Sequence, residues 1–129
     1  MHKLKGKMKN SKKIPEAIGP YSQFVKFDKF VFTAAQIAIN PKTNQLVEGS
    51  IEEQTKQVLE NLKNVLEAAG SSMDKAIKVN VFLKDMNDFG KMNGIYAEYF
   101  KNKPARSTVQ AAKLPRDALI LVDVVAGLK

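Results

Sequence analysis

The chain contains no cysteine and a single histidine, His2. The missing cysteine removes disulfides, thiolate nucleophiles and cysteine-ligated zinc, and fits a reducing compartment, so cytoplasmic placement is the expectation. With its one histidine in a lysine-rich leading segment, the sequence offers no Ser-His-Asp triad, no HExxH zinc motif and no paired-histidine ribonuclease chemistry. Neither GxGxxG nor a P-loop occurs, which leaves dinucleotide and nucleoside-triphosphate folds unsupported. No apolar run approaches the ~20 residues that span a bilayer, and no signal-peptide apolar core is present. No metal and no cofactor are expected.

What is present suits one globular domain. The 129 residues are 44% hydrophobic and 26% charged, enough for a core that needs no covalent staples. The formal net charge is +8, but residues 1–13 carry six lysines and no acid, leaving 15 basic against 13 acidic residues over 14–129. The chain therefore divides into a lysine-rich arm, 1–13, and a single domain, 14–129. The arm reads as a solvated terminus, with contact to an anionic partner as the alternative. It has no arginine and one serine, unlike a mitochondrial presequence, and nucleic acid is not the expected partner.

Residues 14–21 (IPEAIGPY) read as an ordered loop. A hairpin is predicted over 23–35, with a turn near Asp28 and Lys29 between aromatic and β-branched runs. Residues 40–44 (NPKTN) are turn chemistry. Ser50 and Glu53 form a capping-box pair and Gly70 stands at a C′ position, so a helix is predicted between them, with Ile51, Val58, Leu62, Val65, Leu66 and Ala69 inward. From Lys75 to Lys84 the chain alternates, placing Ile77, Val79, Val81 and Leu83 on one strand face. A second helix is predicted from about Met86 to Phe100, its apolar side carrying Phe89, Met92, Tyr96, Tyr99 and Phe100, with Gly94 weakening it locally.

Pro104 should end that helix and bias Lys103 toward extended backbone, ahead of a strand from Ser107 to Ala112. Residues 114–117 (LPRD) turn the chain into a last strand, Leu119 to Ala126, apolar on both faces except at Asp123. Such a strand must be covered on both sides, yet two helices can cover only one face of the sheet. The other face is expected to meet another subunit. The order ββ-α-β-α-ββ gives an α+β domain.

The polar groups left for a site are carboxylates, Arg106, Tyr21, Asn93 and nearby hydroxyl and backbone groups. A planar arginine fork in this setting suits a carboxylate or phosphate. The inventory favours chemistry that asks little of the protein, an anion clamp and a positioned water.

AIGPYSQ (17–23), TAAQIAINPKT (33–43), VLEAAG (65–70), VFLKDMNDF (81–89), the asparagine and tyrosine of MNGIYAEYF (92–100), and PARSTVQAAKLPRD (104–117) together resemble the RidA/YjgF family. These are reactive-intermediate imine deaminases, also called L-PSP endoribonucleases. The resemblance runs from about Ile14 to Ala126. It implies the chorismate-mutase-like α+β fold, a mixed sheet with two helices on one face, assembled as a homotrimer with clefts between subunits. It also implies hydrolysis of 2-iminobutanoate, 2-iminopropanoate and related enamines to 2-keto acids and ammonia, with small 2-imino or 2-keto carboxylates as ligands.

Carried onto this sequence, the resemblance makes Arg106 the carboxylate-binding arginine and Tyr21 the aromatic pocket wall. Asn93 is either a polar residue near the cleft or a helix-surface amide. Thr108 stands where many members have cysteine. Ala34 and Ala35 replace a small hydroxyl or glycine followed by glycine, and their Cβ atoms narrow the approach. Leu121 occupies the position of a glutamate that helps hold the attacking water. Asp123 lies one pleat on, about 6.6–7 Å away, too far to substitute directly, so weak or altered activity is expected. The connection 101–103 is shorter than in many members, lowering one wall of the cleft. Two other readings are a non-catalytic trimer that binds small carboxylates, and an L-PSP-type endoribonuclease.

Overall fold

The fold is organised by helix α1, Ile51–Ala68. Its start is the capping box expected from sequence: the Ser50 hydroxyl accepts from the Glu53 amide while the Glu53 carboxylate returns to the Ser50 amide. Its end is a Schellman turn. Gly70 takes φ +87°, its amide donates to Glu67 O, and the Ser71 amide donates to Leu66 O. Val58, Leu59, Leu62, Val65 and Leu66 are completely buried, each contributing about 1.5–3 kcal/mol by leaving water. The same face also buries Gln54, Thr55 and Asn61. Asn61 is satisfied by the Ile37 and Ile39 carbonyls, and Gln54 by Val47 O and the Leu119 amide, so α1 is tied to the loops beside the sheet.

The computed structural model describes residues 3–5 and 13–128. The main sheet runs β1-β2-β3-β8-β6-β7, built from β1 Lys3–Lys5, β2 Phe24–Phe27, β3 Phe30–Thr33, β8 Ile120–Gly127, β6 Ala76–Leu83 and β7 Ala105–Gln110. Only β6 and β7 are parallel, joined by helix α2, Phe89–Tyr99, as a parallel crossover requires. Strands β4, Ile39–Asn40, and β5, Gln45–Leu46, make a separate small hairpin around the predicted turn. Both helices pack on one face of the sheet, so the α+β class is as expected.

Several details depart from the sequence reading. Part of the lysine arm is not a free terminus: Lys3–Lys5 pairs with β2 and adds an edge strand. The rest of the arm up to residue 12, and residue 129, lie outside the described residues. Ile77 does not share a face with Val79, because a bulge between Ala76 and Lys78 shifts the register; Ala76 turns inward and Ile77 is left 46% exposed. The second helix begins at Phe89, after a 3₁₀ turn over Met86–Asp88, and the Arg106 strand begins at Ala105. Lys103 is not extended but has φ +54°. The connection must reverse the chain within three residues, and Asn102 anchors it by donating to the carbonyls of Asp74 and Ala76, which holds Lys103 against the preference set by Pro104.

The sheet face away from the helices is largely apolar. Val25, Phe27, Phe30, Phe32, Phe82, Val109, Leu121 and Val125 project from it, and Phe32 is 43% and Val109 49% exposed. Polar pairs interrupt it: Asn80 donates to Asp123 at 2.9 Å, and Lys78 to Ser107 at 2.8 Å. Among the described residues no helix is long and apolar enough to cross a membrane.

The helices are clipped together where the Tyr99 hydroxyl donates to a Glu60 carboxylate oxygen at 2.6 Å. Burial, and then that hydrogen bond, raise the Tyr99 phenol above its ordinary value of 10.0. The unfolded chain therefore ionises first. The clip's contribution is complete below about pH 10 and is lost as pH rises from there toward the folded-state value. Tyr99→Phe is expected to lower stability by about 1–2 kcal/mol at neutral pH and to flatten the alkaline limb of stability against pH. Urea melts at a series of pH values check both.

Candidate functional site

Arg106 is the second residue of β7, paired with Val79 of β6, and its side chain rises on the helix side of the sheet. There α2 presents Phe89, Asn93 and Tyr96, spaced i, i+4 and i+7 on one helix face. Arg106 Nη1 donates to Asn93 Oδ1 at 2.8 Å. Its guanidinium carbon lies 4.6 Å from the Tyr96 ring centroid and 5.3 Å from that of Phe89, within cation–π range. One amide and two rings thus fix the fork while leaving most of its five N–H donors free for a ligand. Burial raises the Tyr96 phenol above its usual value and the Arg106 charge draws it partly back, so the hydroxyl stays protonated. Tyr96 is 8% exposed, and its hydroxyl meets no partner in hydrogen-bond geometry.

Arg106 and Tyr96 line a cleft of about 580 Å³ with Ala97, Phe100, Pro104, Lys101 and Lys103. Asn93 therefore acts as the arginine's anchor rather than as a helix-surface amide. Thr108 lies two residues along the same side of β7, its hydroxyl buried and without a partner.

A second cleft, about 500 Å³, opens on the other face of the sheet and gathers Tyr21, Ala34, Ala35 and Leu121 with Ser22, Thr33, Val25, Phe32 and Pro115. Its wall is set by a buried glutamine relay: Gln36 donates to Gln23 at 2.7 Å, and Gln23 donates to Pro15 O at 2.6 Å. The Ala34 amide donates to Gln23 O, which fixes the Ala34–Ala35 backbone. Tyr21 folds back over Gly19, where an added Cβ would meet the ring at 3.3 Å, and its hydroxyl accepts from the Ile18 amide at 3.4 Å. Leu121 packs against a satellite cluster of Ile37, Ile39, Leu114 and Ala118. Asp123 is engaged by Asn80.

One chain therefore does not bring all the expected residues into a single cleft. Arg106 and Asn93 stand on the helix side; Tyr21, Ala34, Ala35 and Leu121 stand on the open side. The sequence reading missed Phe89 and Tyr96 as parts of the arginine clamp because an aromatic stripe on a helix reads as core. The i, i+4, i+7 spacing of Phe89, Asn93 and Tyr96 was the available signal. It also gave no role at the cleft to Ser22, and it read the connection 101–103 only as a lowered wall, not as a source of charge.

Comparison with known proteins agrees with this architecture. Residues 11–128 match the family described as Endoribonuclease L-PSP. A RutC family protein of Pyrococcus horikoshii is 57% identical over 113 residues, covering 87% of this chain and 90% of the relative. A human protein named 2-iminobutanoate/2-iminopropanoate deaminase is 44% identical over 115 residues, covering 88% of this chain and 84% of the relative. Among solved structures, E. coli TdcF with bound serine superposes with a TM-score of 0.88 at 36% identity, covering 96% of this chain and 100% of that one. The chain belongs to the Endoribonuclease L-PSP family, which is the RidA/YjgF family that its motifs resemble.

Proposed function

We propose that this protein is an imine deaminase that hydrolyses 2-imino acids to 2-keto acids and ammonium, working as a homotrimer. The observation that carries the reading is the Arg106 fork, held by Asn93 between two aromatic rings with donors to spare at a cleft. Such a fork suits a planar carboxylate. The reading draws support from relatives named 2-iminobutanoate/2-iminopropanoate deaminase and from the serine bound to TdcF, a ligand that carries an α-carboxylate.

The chemistry needs little beyond position. A protonated imine carbon is already electrophilic. Water adds to it and loses a proton, the carbinolamine nitrogen takes up a proton, and the C–N bond breaks to leave ketone and ammonium. Holding the carboxylate orients that carbon, and orientation alone removes much of the barrier. Neither cleft is lined by a carboxylate or a histidine, so water is left to hydroxyl and backbone groups. The missing acid also disfavours RNA cleavage, which calls for an acid–base pair.

The trimer belongs to the proposal because the two half-sites lie on opposite faces of one sheet. In a trimer one neighbour covers the open apolar face, and the other brings its own Tyr21–Leu121 cleft toward Arg106. The direct test generates 2-iminopropanoate with an amino-acid oxidase acting on alanine and follows pyruvate release. Acceleration over the uncatalysed rate is expected from a protein that sediments as a trimer. A trimer that binds pyruvate without accelerating hydrolysis would make it a carboxylate-binding protein instead.

A further inference from the structure

The Arg106 cleft carries more positive charge than one α-carboxylate uses. Lys101 and Lys103 line it beside Arg106, and no acidic residue does. Both lysines are exposed, and neither has an ion-pair partner among the described residues. They are not on a loose loop. Asn102, between them, donates at 2.9 Å to Asp74 O and at 3.0 Å to Ala76 O, and the Lys103 amide donates back to Phe100 O.

Lys103 is held at φ +54° immediately before a proline. That conformation is disfavoured for a non-glycine residue and persists only where its surroundings enforce it. The two cations are thus presented from a fixed backbone at the mouth of the cleft. Deeper in, the Tyr96 hydroxyl is buried beside the Arg106 guanidinium, so the lining there stays polar behind the two lysines.

We infer that this cleft selects acidic 2-imino acids, with Arg106 gripping the α-carboxylate and Lys101 and Lys103 attracting a second, distal carboxylate. The inference rests on the Arg106 reading above and narrows it to dicarboxylic substrates, such as the imine formed by oxidising glutamate. A second anionic group gains from the lysines in both ground and transition states, so the preference shows in binding as well as in turnover. It weakens with salt, because the lysines are exposed.

The test measures equilibrium binding of 2-oxoglutarate and 2-oxobutanoate, stable products of the two substrate classes, to wild type and to the double variant Lys101→Gln/Lys103→Gln. Wild type is expected to bind 2-oxoglutarate about fivefold more tightly, the combined worth of two exposed charge pairs. The double variant should lose that preference while its affinity for 2-oxobutanoate stays within about twofold. Equal affinities in wild type, a preference that survives in the variant, or binding of neither ligand would overturn the inference. A parallel assay compares hydrolysis of the imines of glutamate and alanine. A lysine-dependent preference in binding with no turnover of either imine would sink the deaminase reading and leave the dicarboxylate inference standing.

Discussion

Arg106→Ala is expected to lower kcat/KM for imine hydrolysis by about 10²–10³-fold, the combined worth of two charge-assisted hydrogen bonds to one carboxylate. Most of the loss should fall on KM if the grip is equally strong in ground and transition states, and on kcat if it also sets the angle at which water meets the imine carbon. Arg106→Lys separates charge from shape: it keeps a cation on β7 but gives up the planar fork, so it should recover only part of the loss. Pyruvate titration gives the same ranking without chemistry. The domain should stay folded in each case, because Val79 and Val81 of the adjacent strand β6 are held in the core independently of the guanidinium. An Arg106→Ala variant that hydrolyses imine at the wild-type rate, with folding and assembly unchanged, would remove the clamp from the mechanism.

Leu121→Glu is expected to raise kcat by about tenfold, toward the lower range for a group that positions or activates water. The side chain points into the cleft shared by Tyr21, Ala34 and Ala35, where no acid now stands. Leu121 also packs against Ile37, Ile39, Leu114 and Ala118, so the substitution trades apolar contact for a carboxylate and should cost about 1–2 kcal/mol of stability. Leu121→Gln is the control. It matches the shape and polarity of glutamate but cannot take a proton, so a gain confined to Glu assigns the effect to the acid. No gain in either, with folding and assembly unchanged, would mean that water is already held by backbone and hydroxyl groups.

Local rules carried much of the fold. Ser50, Glu53 and Gly70 marked both ends of α1 because caps are chemical requirements of a helix end, independent of distant packing. The open apolar face was legible in β8, where only Asp123 breaks a run of apolar residues. The bulge at Ala76–Lys78 was not legible: Ile77, Val79, Val81 and Leu83 alternate cleanly, and only pairing with Ala126 and Val125 shows that Ala76 takes the inward place. Lys103 was misjudged for a related reason. Pro104 sets a local preference, but the short connection and the two bonds from Asn102 decide the conformation.

The sequence offered a list of candidate residues and no constellation. Arg106 and Asn93 proved to be direct partners. Arg106 and Leu121 lie on opposite sides of the sheet, which no spacing between residues 106 and 121 reveals when a turn intervenes and β6 separates their two strands. The resemblance alone places Leu121 at the cleft, and its second contact, with the satellite cluster, emerges only in three dimensions.

The crossover β6–α2–β7 has a consequence for how the protein is put together. Phe89, Asn93, Tyr96 and Arg106 all belong to this one continuous unit, whereas Tyr21, Ala34 and Leu121 come from separate parts of the chain. Recognition of the ligand's charge is thus written into a short contiguous segment, while the proposed catalytic chamber has to be shared among chains. An interface variant held as a monomer should still be a receptor for small carboxylates and no longer be a catalyst, so evolution can tune affinity and turnover in different stretches of one gene.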